Sequence, residues 1–245
     1  YRFLASMVYQ YEILFEELDG TFPNHPADPL QAENLVDLQR RVIESNADVG
    51  LAFDGDADRV FLVDENADLI SGSITTALVA SALLESDGPG PILHNLICSR
   101  STAEVIREAG GDPIRTRVGH SYIKQVMAET GAMFGGEHSG HYYFARNYGA
   151  DSGLIAALIV LERLSLKGGT LSSLVAPLQR YSSSGEINAE VVNTTEAIEK
   201  VSAFFTKYQQ DRLDGLTVDC GEWWFNLRPS NTEPLLRLNV EAPDE

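Results

Sequence analysis

The stretch VGLAFDGDADRVFLV at residues 49–63 places an acidic loop between two short apolar runs. Val49–Phe53 and Val60–Val63 have the length of buried strands. The turn residues 64–66 then lead back to residues 69–70, which predicts a hairpin. We therefore expect strands on both sides to hold the acidic loop in place.

Around this hairpin, segments of helical and strand character alternate through roughly the first two thirds of the chain. The alternation predicts an α/β protein with mixed, largely parallel sheets, followed from residue 185 by a small α+β domain. Helices are expected at residues 30–44, 73–85, 102–109, from about 121, at 152–166 and at 195–208, and further strands at 92–96, 114–117, 186–192 and around 218, 224 and 236.

Composition excludes several classes of function. The chain has 245 residues, of which 44% are hydrophobic, and a formal net charge of -18. This charge repels nucleic acid and anionic membrane surfaces, so we expect neither as a partner. Cys98 and Cys220 give no disulfide framework and no paired metal-ligand spacing, as is typical of a cytoplasmic protein. No apolar run approaches the ~20 residues that cross a bilayer.

The acidic loop has the pattern of a metal site. Asp54, Asp56 and Asp58 alternate, so their carboxylates project to one side of an extended loop. Oxygen ligands on a short loop suit Mg²⁺, which takes few protein ligands and binds phosphate oxygen. Two alternatives remain: a solvated acidic turn, and a calcium loop completed by Glu65. Arg59 opposes the calcium loop because it stands where an EF-hand needs glycine.

Residues 135–141, GGEHSGH, form a glycine-rich loop whose polar groups can contact a polyhydroxy ligand. An ordinary tight turn is an equal alternative. Just upstream, Arg117, His120 and Lys124 lie near a predicted strand-to-helix junction, where cations and helix amides can together hold an anion. Scattered surface charge is the alternative for these three residues.

A third loop, RPSNTEP at residues 228–234, combines one guanidinium, two hydroxyls and an amide with two prolines. Such groups suit a phosphate, and Arg237 can add a second positive charge. Taken alone, a loop of this kind is more often a capped turn than a binding site.

In this order and at these separations, the three loops resemble those of the α-D-phosphohexomutase superfamily. Their sequences are most similar to those of its bacterial phosphomannomutases. The resemblance extends from about Phe15 over nearly the whole chain and includes FPNHP at residues 22–26. It implies a Mg²⁺ cofactor on the acidic loop, sugar contacts from the glycine-rich loop and phosphate contacts from the third loop. The residues implied are Asp54, Asp56 and Asp58 for the metal, and Glu137, Ser139, Arg228, Ser230, Asn231 and Thr232 for the substrate, to which we add Arg117.

The resemblance also implies an activity, the reversible conversion of mannose 6-phosphate and mannose 1-phosphate, or of the glucose phosphates. An enzyme phosphoserine would donate the phosphoryl group, and a hexose bisphosphate would be the intermediate. Arg59 would neutralise a phosphoryl oxygen, and His120, Lys124 or His141 would move the hydroxyl proton. The hexose phosphate is the expected partner.

By this resemblance, residues 1–70 are the remainder of a second α/β domain, residues 71–180 a third, and residues 181–245 an incomplete C-terminal phosphate-binding domain. The phosphoserine loop of the family does not occur in the sequence, because NHP at residues 24–26 has no serine before it. Ile97 stands where many relatives have a lysine. Because the phosphoserine loop does not occur, we expect this chain alone to be inactive. A non-catalytic protein that binds a sugar phosphate or a divalent cation is the alternative.

Overall fold

The computed structural model describes residues 9–17, 19–230 and 235–243. Within these ranges the helices are α1 Val36–Ser45, α2 Gly72–Asp87, α3 Arg100–Glu108, α4 His120–Thr130, α5 Gly153–Lys167, α6 Leu171–Val175 and α7 Thr194–Phe204. The strands are β1 Val49–Phe53, β2 Val60–Asp64, β3 Leu69–Ile70, β4 Pro91–Asn95, β5 Asp112–Thr116, β6 Phe134–Gly136, β7 Tyr142–Phe144, β8 Ala150–Asp151, β9 Ser182–Glu190, β10 Gln209–Asp211, β11 Leu216–Asp219, β12 Trp224–Pro229 and β13 Leu235–Ala242. Among the helices in these ranges, none has the length and apolar character of a membrane span.

The acidic loop joins the first two strands of a small antiparallel sheet, as the sequence predicted. The β1–β2 register runs from Val49 opposite Asp64 to Phe53 opposite Val60, and β3 pairs on the other side of β2. Asp64 closes the β2–β3 turn, because its Oδ1 accepts from two backbone N–H groups at 2.9 Å. Ladder hydrogen bonds therefore fix both ends of the acidic loop.

The second sheet has the strand order β5-β4-β6-β7-β8. Strand β4 pairs in parallel with β5 and β6, and the other two pairs are antiparallel. The α/β class, the mixed sheets and the small C-terminal domain are confirmed. The fraction of strand pairs that are parallel is smaller than the sequence predicted, since only these two pairs are parallel among the described strands. Most other neighbouring strands are joined by connections too short for a parallel crossover.

One hydrophobic core lies under both of these sheets. Val60, Leu62 and Ile70 from the first sheet pack in the same cluster as Leu78 of α2 and Val160 of α5. Each of these side chains is 3% exposed or less, and burial of such a side chain contributes roughly 1.5–3 kcal/mol. Packing therefore continues across the junction between α/β units predicted after residue 70, and that boundary stays a prediction.

The C-terminal sheet has the strand order β10-β11-β12-β13-β9 and is antiparallel throughout. Ile198 of α7 shares its core with Leu216 of β11. Arg100, the first residue of α3, connects this domain to the preceding sheet: its backbone N–H donates to Glu241 Oε1 at 2.9 Å, and its guanidinium pairs with Asp219 at 2.7 Å. The strands that carry the third loop are therefore anchored to the neighbouring domain.

Some element boundaries differ from the sequence predictions. The first helix begins at Val36 rather than near residue 30, because residues 32–35 form a 3-10 turn. Strand β9 spans residues 182–190, four residues earlier at its start than predicted. Helix α6 and strand β10 were not predicted, since five and three residues are too few to show a period.

Gly153, the first residue of α5, touches the backbone of the acidic loop. Its N–H donates to Ala57 O at 3.1 Å, and a Cβ atom at this position would lie 2.5 Å from Arg59 O. Alanine favours helices, yet we expect Gly153→Ala to lower the free energy of unfolding by about 1–3 kcal/mol because two backbones would have to separate. Denaturant unfolding measures the change. The control is Gly20→Ala, which has open space and should be near neutral; equal stability of the two variants would contradict the prediction.

Candidate functional site

Three carboxylates meet at the turn of the β1–β2 hairpin. Oxygens of Asp54, Asp56 and Asp58 all lie within 4.8 Å of one another. Ala57 adopts the left-handed backbone conformation, with φ 61°, which tightens the loop. Asp56 is exposed, whereas Asp54 and Asp58 are partly buried. The structure thus brings together the three side chains that the sequence proposed as metal ligands.

Arg59 neutralises part of this negative charge. Its Nε donates to Asp54 Oδ2 at 2.7 Å, its backbone N–H to Asp54 Oδ1 at 3.1 Å, and its Nη1 to Asp28 Oδ1 at 3.2 Å. Burial would raise the pKa of Asp54, but the hydrogen bonds from Arg59 outweigh burial and hold that pKa below its ordinary value. The Asp54 carboxylate is therefore ionised at neutral pH.

Asp58 is poorly satisfied by the surrounding protein. Its Oδ1 is buried and has no hydrogen-bond partner among the described residues. Burial raises the pKa of Asp58, and the Asp54 and Asp56 carboxylates raise it further, although the nearby His141 opposes them. A cation among the three aspartates would relieve both penalties. The acidic loop therefore fits a small divalent ion that prefers oxygen ligands.

The calcium-loop alternative is wrong. Glu65, which would have to complete such a loop, lies in the β2–β3 turn and binds Ser172: the Ser172 N–H donates to Oε2 at 3.2 Å and its hydroxyl donates to Oε1. Strands, not helices, flank the acidic loop.

The glycine-rich loop is joined to the acidic loop through the backbone. Arg59 and His141 form an isolated antiparallel bridge, and Val60 N–H donates to Gly140 O at 3.2 Å. A Cβ atom on Gly140 would lie 2.5 Å from the Phe61 ring, and Gly140 has φ 86°, so this approach requires glycine. Two loops that are far apart in sequence therefore form one unit.

Beside this bridge, a largely buried carboxylate holds three groups able to exchange protons. Asp151 Oδ2 lies 3.0 Å from His141 Nδ1 and 3.2 Å from His120 Nδ1, and Asp151 Oδ1 accepts from Lys124 Nζ at 3.1 Å. Burial would raise the pKa of Asp151, but the Lys124 hydrogen bond helps to hold it below its ordinary value. Because Lys124 already supplies a cation, this His120–His141–Asp151 cluster suits proton transfer better than a second metal.

Tyr143 and Glu137 extend the cluster into the protein. The Tyr143 hydroxyl lies 3.1 Å from His120 Nδ1 and 3.4 Å from Glu137 Oε2, and Glu137 Oε1 accepts from Gly119 N–H at 3.0 Å. Burial raises the pKa of Tyr143 and the nearby carboxylates raise it further, so the hydroxyl stays protonated. Glu137 is only 2% exposed and braces the loop here. Its sugar contact stays a prediction.

Two other predicted substrate residues lie at the surface. Ser139 is partly exposed within the glycine-rich loop. Arg117 is exposed, and its guanidinium carbon lies 4.2 Å from the centroid of the Tyr122 ring. The structure therefore places the Arg117 guanidinium on the face of an aromatic ring, and the substrate role of Arg117 stays a prediction.

The third loop joins β12 to β13, and one glutamate holds its two arginines. Arg228 and Arg237 stand opposite each other in the sheet, and Glu186 of β9 pairs with them at 3.2 Å and 3.3 Å. Arg237 Nη2 also donates to Ser230 Oγ at 3.2 Å. Burial lowers the pKa of Arg228, and Glu186 opposes that effect. The guanidinium groups are thus held in place before any ligand arrives.

Charge links the third loop to the glycine-rich loop. Burial lowers the pKa of His138 to about 4, and the positive charges of Arg228 and Arg237 lower it further. The two arginines therefore act on the glycine-rich loop of the neighbouring domain. The predicted phosphate ligands Asn231 and Thr232 lie outside the described residues.

Sequence reasoning missed Asp151 and Asp28. Asp151 ends the two-residue strand β8, and Ser152 after it caps α5 by accepting from Ile155 N–H at 3.2 Å. The sequence at this point indicates only the start of a helix, so it does not mark Asp151 as a functional residue. Asp28 follows FPNHP among turn residues, and only the fold shows that it reaches Arg59.

Comparison with known proteins identifies the family. Its sequence models, described as phosphoglucomutase/phosphomannomutase, match in three consecutive parts: alpha/beta/alpha domain II at residues 3–68, alpha/beta/alpha domain III at 71–181 and the C-terminal domain at 186–245. The phosphomannomutase of Methanocaldococcus jannaschii is 43% identical over 227 residues, which are 93% of this chain and 51% of that protein. The phosphomannomutase of Escherichia coli K12 is 42% identical over 227 residues, 91% of this chain and 50% of that protein.

A solved structure leads to the same family. The crystal structure of a phosphoglucomutase/phosphomannomutase family protein from Burkholderia thailandensis matches with a TM-score of 0.86 and 35% identity, covering 94% of this chain and 50% of that one. The chain spans about half the length of the curated relatives it matches. The three family models match consecutive parts of the chain, and the identity with these relatives extends over most of it. The chain therefore belongs to the phosphoglucomutase/phosphomannomutase family.

Proposed function

We propose that this chain is part of a cytoplasmic mutase that interconverts hexose 6-phosphates and hexose 1-phosphates, with mannose phosphates preferred. One observation carries the proposal: the backbone bridge between Arg59 and His141 sets the acidic loop beside the His120–His141–Asp151 cluster. Phosphoryl transfer needs positive charge at the phosphoryl group and a group that moves the hydroxyl proton. The relatives named phosphomannomutase support the choice of substrate.

Asp54, Asp56 and Asp58 are the residues that would hold Mg²⁺. When bound, the ion offsets negative charge that develops on the transferred phosphoryl group. Arg59 adds a fixed positive charge next to the same carboxylates, because its Nε is held on Asp54 Oδ2. Oxygen ligands on a short loop favour Mg²⁺ over softer ions.

An imidazole of the cluster takes the proton of the attacking hydroxyl. Asp151 contacts Nδ1 of both His120 and His141, so Nε2 of each ring is the atom available to the substrate. Asp151 orients the rings and stabilises whichever ring becomes protonated. Lys124 helps to keep Asp151 ionised for that purpose.

The third loop anchors the phosphate that does not react. Glu186 holds the guanidinium groups of Arg228 and Arg237 in place. Ser230 and, beyond the described residues, Asn231 and Thr232 are the further phosphate ligands that we expect from the sequence. Binding energy from this remote phosphate orients the sugar between Glu137, Ser139 and the acidic loop. A hexose that carries a phosphate at either end supplies the negative charge that Arg228 and Arg237 would bind.

On its own, this chain is expected to bind Mg²⁺ but to leave mannose 1-phosphate unconverted, because the phosphoserine loop of the family does not occur in its sequence. Phosphorus NMR follows the conversion. The positive control is the protein made from the complete coding sequence, primed with a hexose bisphosphate to phosphorylate its serine.

Either of two results would count against these statements. Conversion by the chain alone would show that the phosphoryl donor lies within these residues. A complete protein that binds the sugar phosphate but converts neither mannose nor glucose phosphates would overturn the mutase and favour a binding protein.

A further inference from the structure

Asp28 receives the outer end of the Arg59 side chain. Its Oδ1 accepts from Arg59 Nη1 at 3.2 Å, while Arg59 Nε donates to Asp54 Oδ2 at 2.7 Å. One guanidinium is therefore shared between carboxylates from two parts of the chain. The Asp28 side chain is 36% exposed and that of Asp54 is 6% exposed, so the inner carboxylate depends more on its partner.

The segment around Asp28 is firmly placed. The amide Nδ2 of Asn34 donates to the Asp28 carbonyl at 2.8 Å, and Asn34 is 7% exposed. Gln31 N–H donates to the same carbonyl at 3.3 Å, and Leu30 N–H donates to Asp28 Oδ1 at 3.3 Å. Pro29, which is buried, stiffens the backbone between these contacts.

This segment also packs on the acidic loop. Phe22 Cζ lies 3.4 Å from the Cβ position of Gly55, and Ala27 Cβ lies 3.8 Å from it. Because the chain is held on both sides of Asp28, this residue keeps a fixed place relative to the three aspartates. Phe22, the first residue of FPNHP, therefore packs beside the acidic loop.

We propose that Asp28 is a positioning residue that draws the Arg59 guanidinium partly off Asp54 and so makes Asp54 available to Mg²⁺. The inference rests on the proposed function, because it concerns the metal site named there. A guanidinium and a divalent ion on one carboxylate repel each other and compete for its two oxygens. Asp28 gives Arg59 a second acceptor, so Arg59 stays in the site when the metal binds.

A double-mutant cycle on Mg²⁺ affinity, measured by calorimetry on this chain, tests the inference. Asp28→Asn weakens binding about fivefold, and Arg59→Gln strengthens it by about the same factor. In the Arg59→Gln background, Asp28→Asn changes the affinity by less than about twofold, because its effect acts through Arg59. Asp37→Asn is the matched control, since this aspartate pairs with Arg40 on α1, and it leaves Mg²⁺ affinity unchanged.

Each result decides the matter. An equal loss from Asp28→Asn in both backgrounds shows a distant charge effect and overturns the inference while the metal site stands. An Asp28→Asn variant with unchanged affinity overturns it as well. Failure of the unmodified chain to bind Mg²⁺ overturns the proposed metal site and this inference together.

A second background keeps the cycle decisive if Arg59→Gln does not fold, as circular dichroism would show. Arg59→Lys retains the charge, but a single ammonium cannot hold two carboxylates as a planar guanidinium does. The effect of Asp28→Asn on Mg²⁺ affinity shrinks in this background if the inference holds. An undiminished effect contradicts it.

Discussion

Replacing Asp58 with Asn should weaken Mg²⁺ binding by this chain by at least about 100-fold, since even residues that only support metal ligands are worth about 10–100-fold. Asp58 Oδ1 is buried without a hydrogen-bond partner among the described residues, so it has the most to gain from a cation. Titration of the chain with Mg²⁺ in a calorimeter gives the affinity directly.

The same substitution should leave the metal-free chain at least as stable as before. Burial and the neighbouring Asp54 and Asp56 carboxylates raise the pKa of Asp58, which means that its ionised form is disfavoured in the folded chain. An uncharged amide removes that repulsion. The control is Asp48→Asn, an exposed acid just before β1, which should change neither property. Full Mg²⁺ affinity in Asp58→Asn would contradict the assignment.

Asp151→Asn in the complete protein should lower kcat by about 100- to 10,000-fold, with KM changed much less. The amide can no longer orient both imidazoles through Nδ1, stabilise a protonated ring and hold Lys124 Nζ. Steady-state kinetics with mannose 1-phosphate measures the change, and a shifted pH profile distinguishes lost proton transfer from general damage.

Two comparisons sharpen this test. Mg²⁺ affinity of Asp151→Asn should stay near that of the unchanged protein, because the acidic loop keeps its ligands. Asp112→Asn, an exposed acid at the start of β5, should keep full activity. An Asp151→Asn enzyme with normal kcat would remove the His120–His141–Asp151 cluster from the mechanism.

The acidic hairpin was predictable because its determinants are local. Two apolar runs of strand length, a turn and the alternating aspartates lie within residues 49–70, and the register follows from their spacing. The three side chains converge as the alternation suggested. Helices α2 and α5 were likewise predicted within two residues at each end, since both are long apolar segments capped by serine.

Long-range contacts could not be predicted in the same way. The Arg59–His141 bridge depends on Gly140 lying against Phe61, a contact that no local pattern encodes. Asp151 stands before a serine that caps a helix, so its sequence context favours a structural role. The fraction of parallel strand pairs was overestimated because the alternation of helices and strands gives the order of elements along the chain but not the direction in which strands pair. Strands β7 and β8 instead follow their neighbours as antiparallel hairpins.

The Arg59–His141 bridge also limits how this chemistry could be transplanted. A graft of residues 54–59 onto another scaffold would carry three carboxylates and an arginine, but neither the imidazoles nor the Gly153 contact that supports the loop. The smallest unit that keeps the acidic loop, both imidazoles and the Gly153 contact is the hairpin of residues 49–70 together with residues 120–153. For protein design, the acidic loop and the glycine-rich loop therefore have to be transferred together, as two chain segments of one unit.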